Sequence, residues 1–268
     1  MGVKIGNIDV TFKVGSADCA VYLGDTLVNS GSTPTHDYSQ DYFTIVPGDI
    51  DCDIQFTKAT RSDVLYYAFL RNDIGIWDEW EEYDSYIIVN AGQKVRFKGT
   101  LTPNEDDGIG HFAITGNCSV EGNAMSLLFD DNFSGQTDLT GKNYAFLDLF
   151  NECSSLTSAE NLVLPATTLS TNCYKRMFRM CTSLTTAPTL PAATYGSQFN
   201  TCYGSMFYGC ASLNSITCLA TSISSFRTAS WVEGVAASGT FTKNANATGW
   251  TTGTNGIPSG WTVVDYSG

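Results

Sequence analysis

A nine-residue segment occurs three times in the second half of this chain, and its spacing limits what the chain can fold into. Leu149-Phe150-Asn151-Glu152-Cys153-Ser154-Ser155-Leu156-Thr157 returns as Met177-Phe178-Arg179-Met180-Cys181-Thr182-Ser183-Leu184-Thr185, and again as Met206-Phe207-Tyr208-Gly209-Cys210-Ala211-Ser212-Leu213-Asn214. The steps from Phe to Phe are 28 and 29 residues. The connecting text repeats as well: Leu164-Pro165-Ala166-Thr167-Thr168 is echoed by Leu190-Pro191-Ala192-Ala193-Thr194, and Asn172-Cys173-Tyr174 by Thr201-Cys202-Tyr203. A unit of this length cannot bury its own apolar face, so successive units must stack and share one core. Stacking predicts a ladder of Phe150, Phe178 and Phe207, a second of Leu156, Leu184 and Leu213, and a third of Cys153, Cys181 and Cys210. Within a unit the pattern reads as a short helix carrying Tyr174, Met177 and Phe178, a turn at Cys181, and a short strand from Leu184. We assign the stack to residues 105–225. Met125-Ser126-Leu127-Leu128-Phe129 and Asp138-Leu139-Thr140 read as a degenerate first turn. Repeat spacing ends after Leu219, and residues 226–268, with Trp231, Trp250 and Trp261 among Gly, Thr and Asn, read as the cap that covers the last exposed face.

The first half carries strand signals instead. Residues 1–33 contain a near-duplicate: Ile5-Gly6-Asn7-Ile8-Asp9-Val10 and Leu23-Gly24-Asp25-Thr26-Leu27-Val28. Each reads as strand, turn, strand, and glycine in first place suits a type II′ hairpin turn. Ser30-Gly31-Ser32-Thr33-Pro34-Thr35 then reads as a linker. Residues 34–104 are assigned to a β-sandwich with an Ig-like run of short strands. Tyr42-Phe43-Thr44-Ile45-Val46 is aromatic and β-branched. Ile50, Cys52, Ile54 and Phe56 alternate with Asp51, Asp53 and Gln55, the period of a half-buried strand. Val64-Leu65-Tyr66-Tyr67-Ala68-Phe69 is another strand. Tyr86-Ile87-Ile88-Val89 and Val95-Arg96-Phe97-Lys98-Gly99-Thr100-Leu101 bracket Asn90-Ala91-Gly92-Gln93 as a hairpin, and Asn104-Glu105-Asp106-Asp107-Gly108 reads as the acidic turn that ends the domain. The fold class expected is mixed and β-rich.

Composition narrows the function classes. Charged residues make up only 15% of the chain and the formal net charge is −13. Nucleic-acid phosphates and anionic lipid both require clustered Lys and Arg, so neither is an expected partner. Acids are absent between Glu160 and Glu233, where Lys175, Arg176 and Arg179 lie. No apolar run reaches the ~18 residues of a membrane span, and the start lacks a signal-peptide core. There are nine cysteines and no Cys-x-x-Cys pair, which speaks for buried, reduced thiols rather than a zinc or redox site.

The repeat text resembles the BspA-like leucine-rich repeats of bacterial surface proteins and of Bacteroidales phages, over roughly residues 112–265. The marks are Cys-Tyr-x-x-Met-Phe at Cys173 to Phe178 and at Cys202 to Phe207, the Cys-x-Ser-Leu turns, the Leu-Pro-Ala-Thr-Thr stretch, and the ending Gly256-Ile257-Pro258-Ser259-Gly260-Trp261-Thr262-Val263. Val21-Tyr22-Leu23-Gly24-Asp25-Thr26-Leu27-Val28 is similar to segments that open phage tail-fibre and appendage proteins. The resemblance implies a virion component of a crAss-like or related phage, a tail fibre or head fibre, made in the host cytoplasm. It implies N-terminal strands that anchor to other virion proteins, a homo-oligomeric assembly, and a repeat stack that faces outward toward a host surface glycan or protein.

Chemistry-bearing patterns are sparse. His36 and His111 lie outside any nucleophile-elbow or Cys–His context. Asp49, Asp51 and Asp53 begin like a calcium loop, yet the sixth position is Ile54 and the twelfth Thr60, where Gly and Glu are needed; a solvated strand face is the simpler reading. No cofactor, metal or catalytic residue is expected. Two surfaces remain as binding candidates. Trp77, Trp80, Tyr83 and Tyr86 fall among five acids and form an aromatic–acidic loop that offers a surface to a sugar or protein; the opposing reading packs two of the rings inward. Lys175, Arg176 and Arg179 share one repeat segment and suit an anionic polysaccharide, or simply face water. The expected function is therefore structural and binding, with no enzyme activity. The alternatives are a bacterial cell-surface adhesin, which calls for a signal peptide or lipobox, and a polysaccharide depolymerase, which calls for converging acids.

Overall fold

The computed structural model describes residues 36–71, 75–195, 201–221 and 224–267, with backbone alone at 194–195, together with the backbone of four strands between residues 2 and 29. The chain is β-rich, with several sheets and none of them closed. It divides into two compact units, Met1–Asp37 and Tyr38–Gly268.

The first unit is an antiparallel meander of β1 (Gly2–Ile5), β2 (Ile8–Val14), β3 (Cys19–Leu23) and β4 (Thr26–Asn29). Ile5 pairs with Ile8 and Leu23 with Thr26, so both expected hairpins close. The Gly6-Asn7 and Gly24-Asp25 turns themselves, and the linker at 30–35, lie outside the described residues.

The second unit begins with β5 (Phe43–Pro47), β6 (Cys52–Lys58), β7 (Leu65–Arg71), β8 (Ile76–Trp77), β9 (Glu81–Glu82), β10 (Ile87–Val89), β11 (Val95–Gly99), β12 (Gly110–Thr115) and β13 (Cys118–Asn123), followed by the one-turn helix α1 (Ser126–Phe129). A small sheet has the order β10-β6-β12. A larger one runs β14-β13-β5-β11-β7-β8, where β14 is Leu156–Val163, and β9 pairs with β7. Along β6, Cys52, Ile54 and Phe56 are buried and Asp53, Gln55 and Thr57 exposed, as period-2 patterning requires. Ile50, which the alternation placed inside, precedes the strand and is 55% exposed. The inner faces meet through Phe43 and Phe97 on the large sheet and Phe112 on the small one, with centroids 5.3 to 5.9 Å apart. Both sheets draw strands from beyond residue 104.

The expected hairpin at residues 90–93 is not one. Gln93 N–H donates to Asn90 O at 2.9 Å and the chain turns, but β10 pairs with β6 while β11 pairs with β5 and β7. The turn is an arch from one sheet to the other. Ile87 and Val89 on one side and Val95 and Phe97 on the other all face the core between the sheets, which an arch permits.

The repeats then stack as coils. Phe150, Phe178 and Phe207 lie ring over ring, at 5.4 Å and 13° and then 5.8 Å and 14°. A second column holds Phe146, Tyr174 and Tyr203, at 5.6 Å and 6.0 Å. The leucine column Leu156, Leu184 and Leu213 is fully buried. The phenylalanine column starts in the sheets, where Phe112 stacks on Phe150 at 5.8 Å, and both columns end on Trp231. One contiguous apolar core therefore runs through sheets and coils. The turn at 104–108 seals this junction: a Cβ on Gly108, at φ +60°, would lie 2.7 Å from the Leu147 and Tyr144 carbonyls.

The expected helix in each repeat is absent. Phe150, Phe178 and Phe207 N–H groups donate to the next coil, to Met177, Met206 and Trp231 O at 2.8, 3.0 and 2.9 Å. Alternate groups close tight turns inside the coil, as Met177 N–H does to Tyr174 O at 3.3 Å and Arg179 N–H to Arg176 O at 3.1 Å. An α-helix uses its N–H groups internally and cannot share half of them with a neighbour. Every fourth residue takes a left-handed φ: Asn172 at 54°, Arg176 at 56° and Met180 at 60°. The strand after Leu184 shrinks to the single residue Thr186, which makes two parallel bridges, to Ser158 and to Ser215. Pro188 and Pro191 follow it and bring no N–H to a ladder.

Further along come β15 (Thr168–Leu169) paired in parallel with β16 (Thr194–Tyr195), and the parallel sheet of β17 (Ser215–Cys218), β18 (Thr240–Lys243) and β19 (Thr262–Asp265). Stacking continues past Leu219, where repeat spacing stops in the sequence. Tyr203, Ser205, Phe207 and Gly209 donate to Arg227, Ala229, Trp231 and Glu233 O. Trp231 stands where Phe is expected, and only 24 residues separate it from Phe207, which hides the register. Trp231 Nε1 donates to Gly256 O at 2.8 Å, and its ring stacks on Trp250 at 5.7 Å. Among the described residues no helix is long and apolar enough to cross a membrane.

Candidate binding cleft

Strand β12 pairs with β6 in antiparallel register, Ala113 opposite Gln55 and Thr115 opposite Asp53. Phe112 and Ile114 point into the core, so His111, Ala113 and Thr115 face outward. The first coil stands against the free edge of β12: Phe112 N–H donates to Leu149 O at 2.8 Å, and the Ser155 hydroxyl donates to the Ile114 carbonyl. This raises Asn151, Glu152 and Ser154 as one wall. Ser85 and Tyr86, just before β10, form the other. Between them lies an open cleft of about 560 Å³. Tyr86 is 57% exposed.

The polar groups of the cleft are partly fixed. Thr115 Oγ1 donates to Asp53 Oδ2 at 3.2 Å. Arg179 reaches in from the second coil, donating through Nη1 to Glu152 Oε1 at 3.2 Å and to Asn151 Oδ1 at 3.3 Å. The lining contains no Lys or Arg. Cys153 at its floor is 3% exposed, and burial pushes its thiol pKa up, which keeps it protonated and a poor nucleophile.

The two surfaces expected from sequence fare differently. Tyr83 is a core residue at 2% exposure, and this corrects its place as a surface contact: its hydroxyl accepts from Phe56 N–H at 2.7 Å and donates to the Ser85 carbonyl. Trp77 and Trp80 are half-buried and turn their faces to the protein's own cation. The Arg96 guanidinium carbon sits 4.5 Å and 4.4 Å from their ring centroids, and 5.2 Å from Tyr42. The ring quadrupoles hold the guanidinium there. Beside it, the 8%-exposed Lys98 binds Asp131 at 2.8 Å and Asp130 at 3.1 Å.

Lys175, Arg176 and Arg179 do share one coil, but two of them are spoken for. Arg176 makes a two-pronged pair with Asp148 at 2.9 and 2.5 Å, and Arg179 holds Glu152. The acid-free stretch of sequence is thus served by acids one coil earlier. Lys175 makes no ion pair among the described residues, and its stem lies beside Gly204. The eight described cysteines are buried and free. Burial pushes Cys210 up to about 12, and Cys181 also upward. Both thiols donate along the stack, Cys181 to Phe150 O at 3.0 Å and Cys210 to Phe178 O at 2.9 Å. Among the described residues no three His, Cys, Asp or Glu side chains gather as a metal site.

Sequence reading missed the cleft. Alternation placed Asp53 and Gln55 on a solvated face, but the register that sets them beside His111 and Thr115, and the coil that walls them in, are long-range facts. No family model matches the chain, and no curated protein and no solved structure is significantly similar to it.

Proposed function

We propose that this chain is a non-enzymatic structural and binding component of a bacteriophage virion, a tail or head appendage that acts in assembly and host attachment. In this reading the paired sheets are an Ig-like sandwich and the coils a short BspA-like leucine-rich-repeat solenoid, whose C-terminal tryptophans form the cap. The observation that carries the reading is the ring column from Phe112 through Phe150 and Phe178 to Phe207. It supports a rigid spacer that joins sheet to solenoid without a linker and leaves the outer faces free for display. The separate meander of Met1–Asp37 suits the anchor to other virion proteins. Assembly as a homo-oligomer on the particle belongs to the same proposal, and no nucleic-acid or membrane contact does.

The test is mass spectrometry of purified particles from a phage that encodes the gene, with copy number taken against the major capsid protein. A fixed low ratio is expected, and its value separates tail from head. Absence from particles, with the protein on the host envelope, overturns the virion reading in favour of a cell-surface adhesin.

A further inference from the structure

We propose that the cleft across β6 and β12 is a binding site for a neutral saccharide chain. The inference rests on the reading of the chain as a binding module and adds the site and the ligand chemistry.

The floor is made of strand residues, whose positions are set by the ladder below them and therefore do not shift on binding. Ala113 at its centre is small and exposed, between the taller His111 and Thr115, so the sheet surface is hollow there. About 560 Å³ is within the ordinary ~300–1,000 Å³ of small-ligand sites. Tyr86 supplies an exposed aromatic ring on one wall, where the C–H face of a sugar can cover it. At 57% it is the most exposed of the large aromatic side chains among the described residues, ahead of Phe226 and Tyr266, and it is the one aromatic ring with that exposure in the cleft lining.

Across from that ring the lining offers acceptors in excess. Among the described residues, Asp53 has Oδ1 unused once Thr115 has taken Oδ2, and Glu152 has Oε2 unused once Arg179 has taken Oε1. Sugar hydroxyls are donors that match these carboxylates. The side chains of Gln55 and His111 make no hydrogen bond within the described residues; the Gln55 amide offers both donors and an acceptor, and the His111 ring a further polar contact. An anionic sugar is disfavoured, because Asp53 faces the cleft with no Lys or Arg in the lining, and the nearby Arg179 is already engaged by Glu152 and Asn151. A purely apolar ligand would cover the second oxygen of each carboxylate without giving it a partner. A neutral chain with hydroxyls along one edge and an apolar ring face meets all of these conditions, and the open ends of the cleft let it extend beyond the residues it contacts.

Saturation-transfer NMR and calorimetry on the full chain test this. The probes are chitotetraose, cellotetraose and maltotetraose, with sialyllactose and a sulfated disaccharide as anionic controls. At least one neutral probe is expected to receive saturation, and the anionic ones none. Tyr86→Ala should weaken binding about tenfold. Ala113→Trp should abolish it by filling the hollow. Lys175→Ala, outside the cleft, should leave it unchanged. Thermal melts of each variant exclude a folding failure. Silence from all three neutral probes overturns the proposal. So does binding that survives both Tyr86→Ala and Ala113→Trp, or stronger binding of the anionic probes. Failure here leaves particle incorporation untouched, and absence from particles leaves binding by the isolated chain readable, so the two readings fall separately.

Discussion

The paired sheets and the stacked coils share one core but hold it in opposite ways. In the sheets each buried ring has different neighbours: Phe112 touches Phe43, Phe56, Phe97 and Phe150, each on another element. In the coils a buried ring touches its own counterpart one unit on, as Phe178 does on both sides. The sheets therefore distribute a defect over many unlike contacts, whereas the coils pass it along a column. In a stack, stability is close to a sum of units and the interfaces between them. The largest test of this difference is truncation on each side. Phe178→Ala should cost about 3–5 kcal/mol, as for a buried Phe. Hydrogen exchange should then rise for the Phe150 and Phe178 amides, which bond across coils, while the β6–β12 amides stay protected. Phe97→Ala should cost a similar amount but raise exchange chiefly in β5, β7 and β11. Matching exchange maps for the two variants would remove the distinction.

The same contrast explains what was legible in the sequence. The columns of Phe150, Phe178 and Phe207 and of the three leucines follow from identical residues at a near-constant step, and any stack of the units must align them. The local conformation was not legible. Tyr174, Met177 and Phe178 carry helix-like spacing, but alternate N–H groups of their coil, those of Tyr174, Arg176, Phe178 and Met180, find partners 28 residues away, beyond any local window. In the sheets the strands were legible from composition and alternation, yet their pairing was not. Ile87 and Val95 look the same whether residues 90–93 make a hairpin or an arch. The Trp77 and Trp80 loop reads as a free aromatic surface because Arg96, the cation it holds, sits on β11, and nothing in the loop itself reveals it.

Backbone strain gives a finer comparison. Gly209 has φ +73° at the coil position occupied by Met180 one unit earlier, and a Cβ there would come 2.3 Å from Met180 Sδ. Gly209→Ala should cost about 1–2 kcal/mol, the usual penalty of a left-handed residue, with an added clash that Met180→Ala relieves. A double-mutant cycle measured by denaturant unfolding should show that coupling; strict additivity would mean that neighbouring coils do not sense each other at this rung. Tyr174 probes the column from the opposite direction. Its ring stacks on Phe146, but its buried hydroxyl has no hydrogen-bond partner among the described residues. Tyr174→Phe should therefore stabilise the protein by about 1 kcal/mol, since an unsatisfied buried hydroxyl is a cost that Phe146 avoids. A fall in melting temperature would indicate that the hydroxyl is satisfied in solution.

The smallest effect belongs to the sheet side, where charge rather than repetition does the bracing. Hydrogen bonds from Lys98 first, and from Tyr42 second, hold the Asp131 carboxyl below the ordinary carboxylate range. A carboxyl depressed in the folded state adds stability above its unfolded pKa of about 3.9, and that contribution is lost as pH falls through the folded value. The Asp131 side chain is 59% exposed, so solvent screening limits the effect to about 0.5 kcal/mol. Melting curves between pH 6 and pH 2 should show wild type losing slightly more stability than Asp131→Asn over the acid limb, with the two converging at the lowest pH. The stack offers no parallel on this limb through its ring columns, which carry no carboxylate. If Phe178→Ala shifts the acid limb as Asp131→Asn does, the columns and the charged cluster are one cooperative unit, and the contrast between sheets and coils ends at the level of energetics.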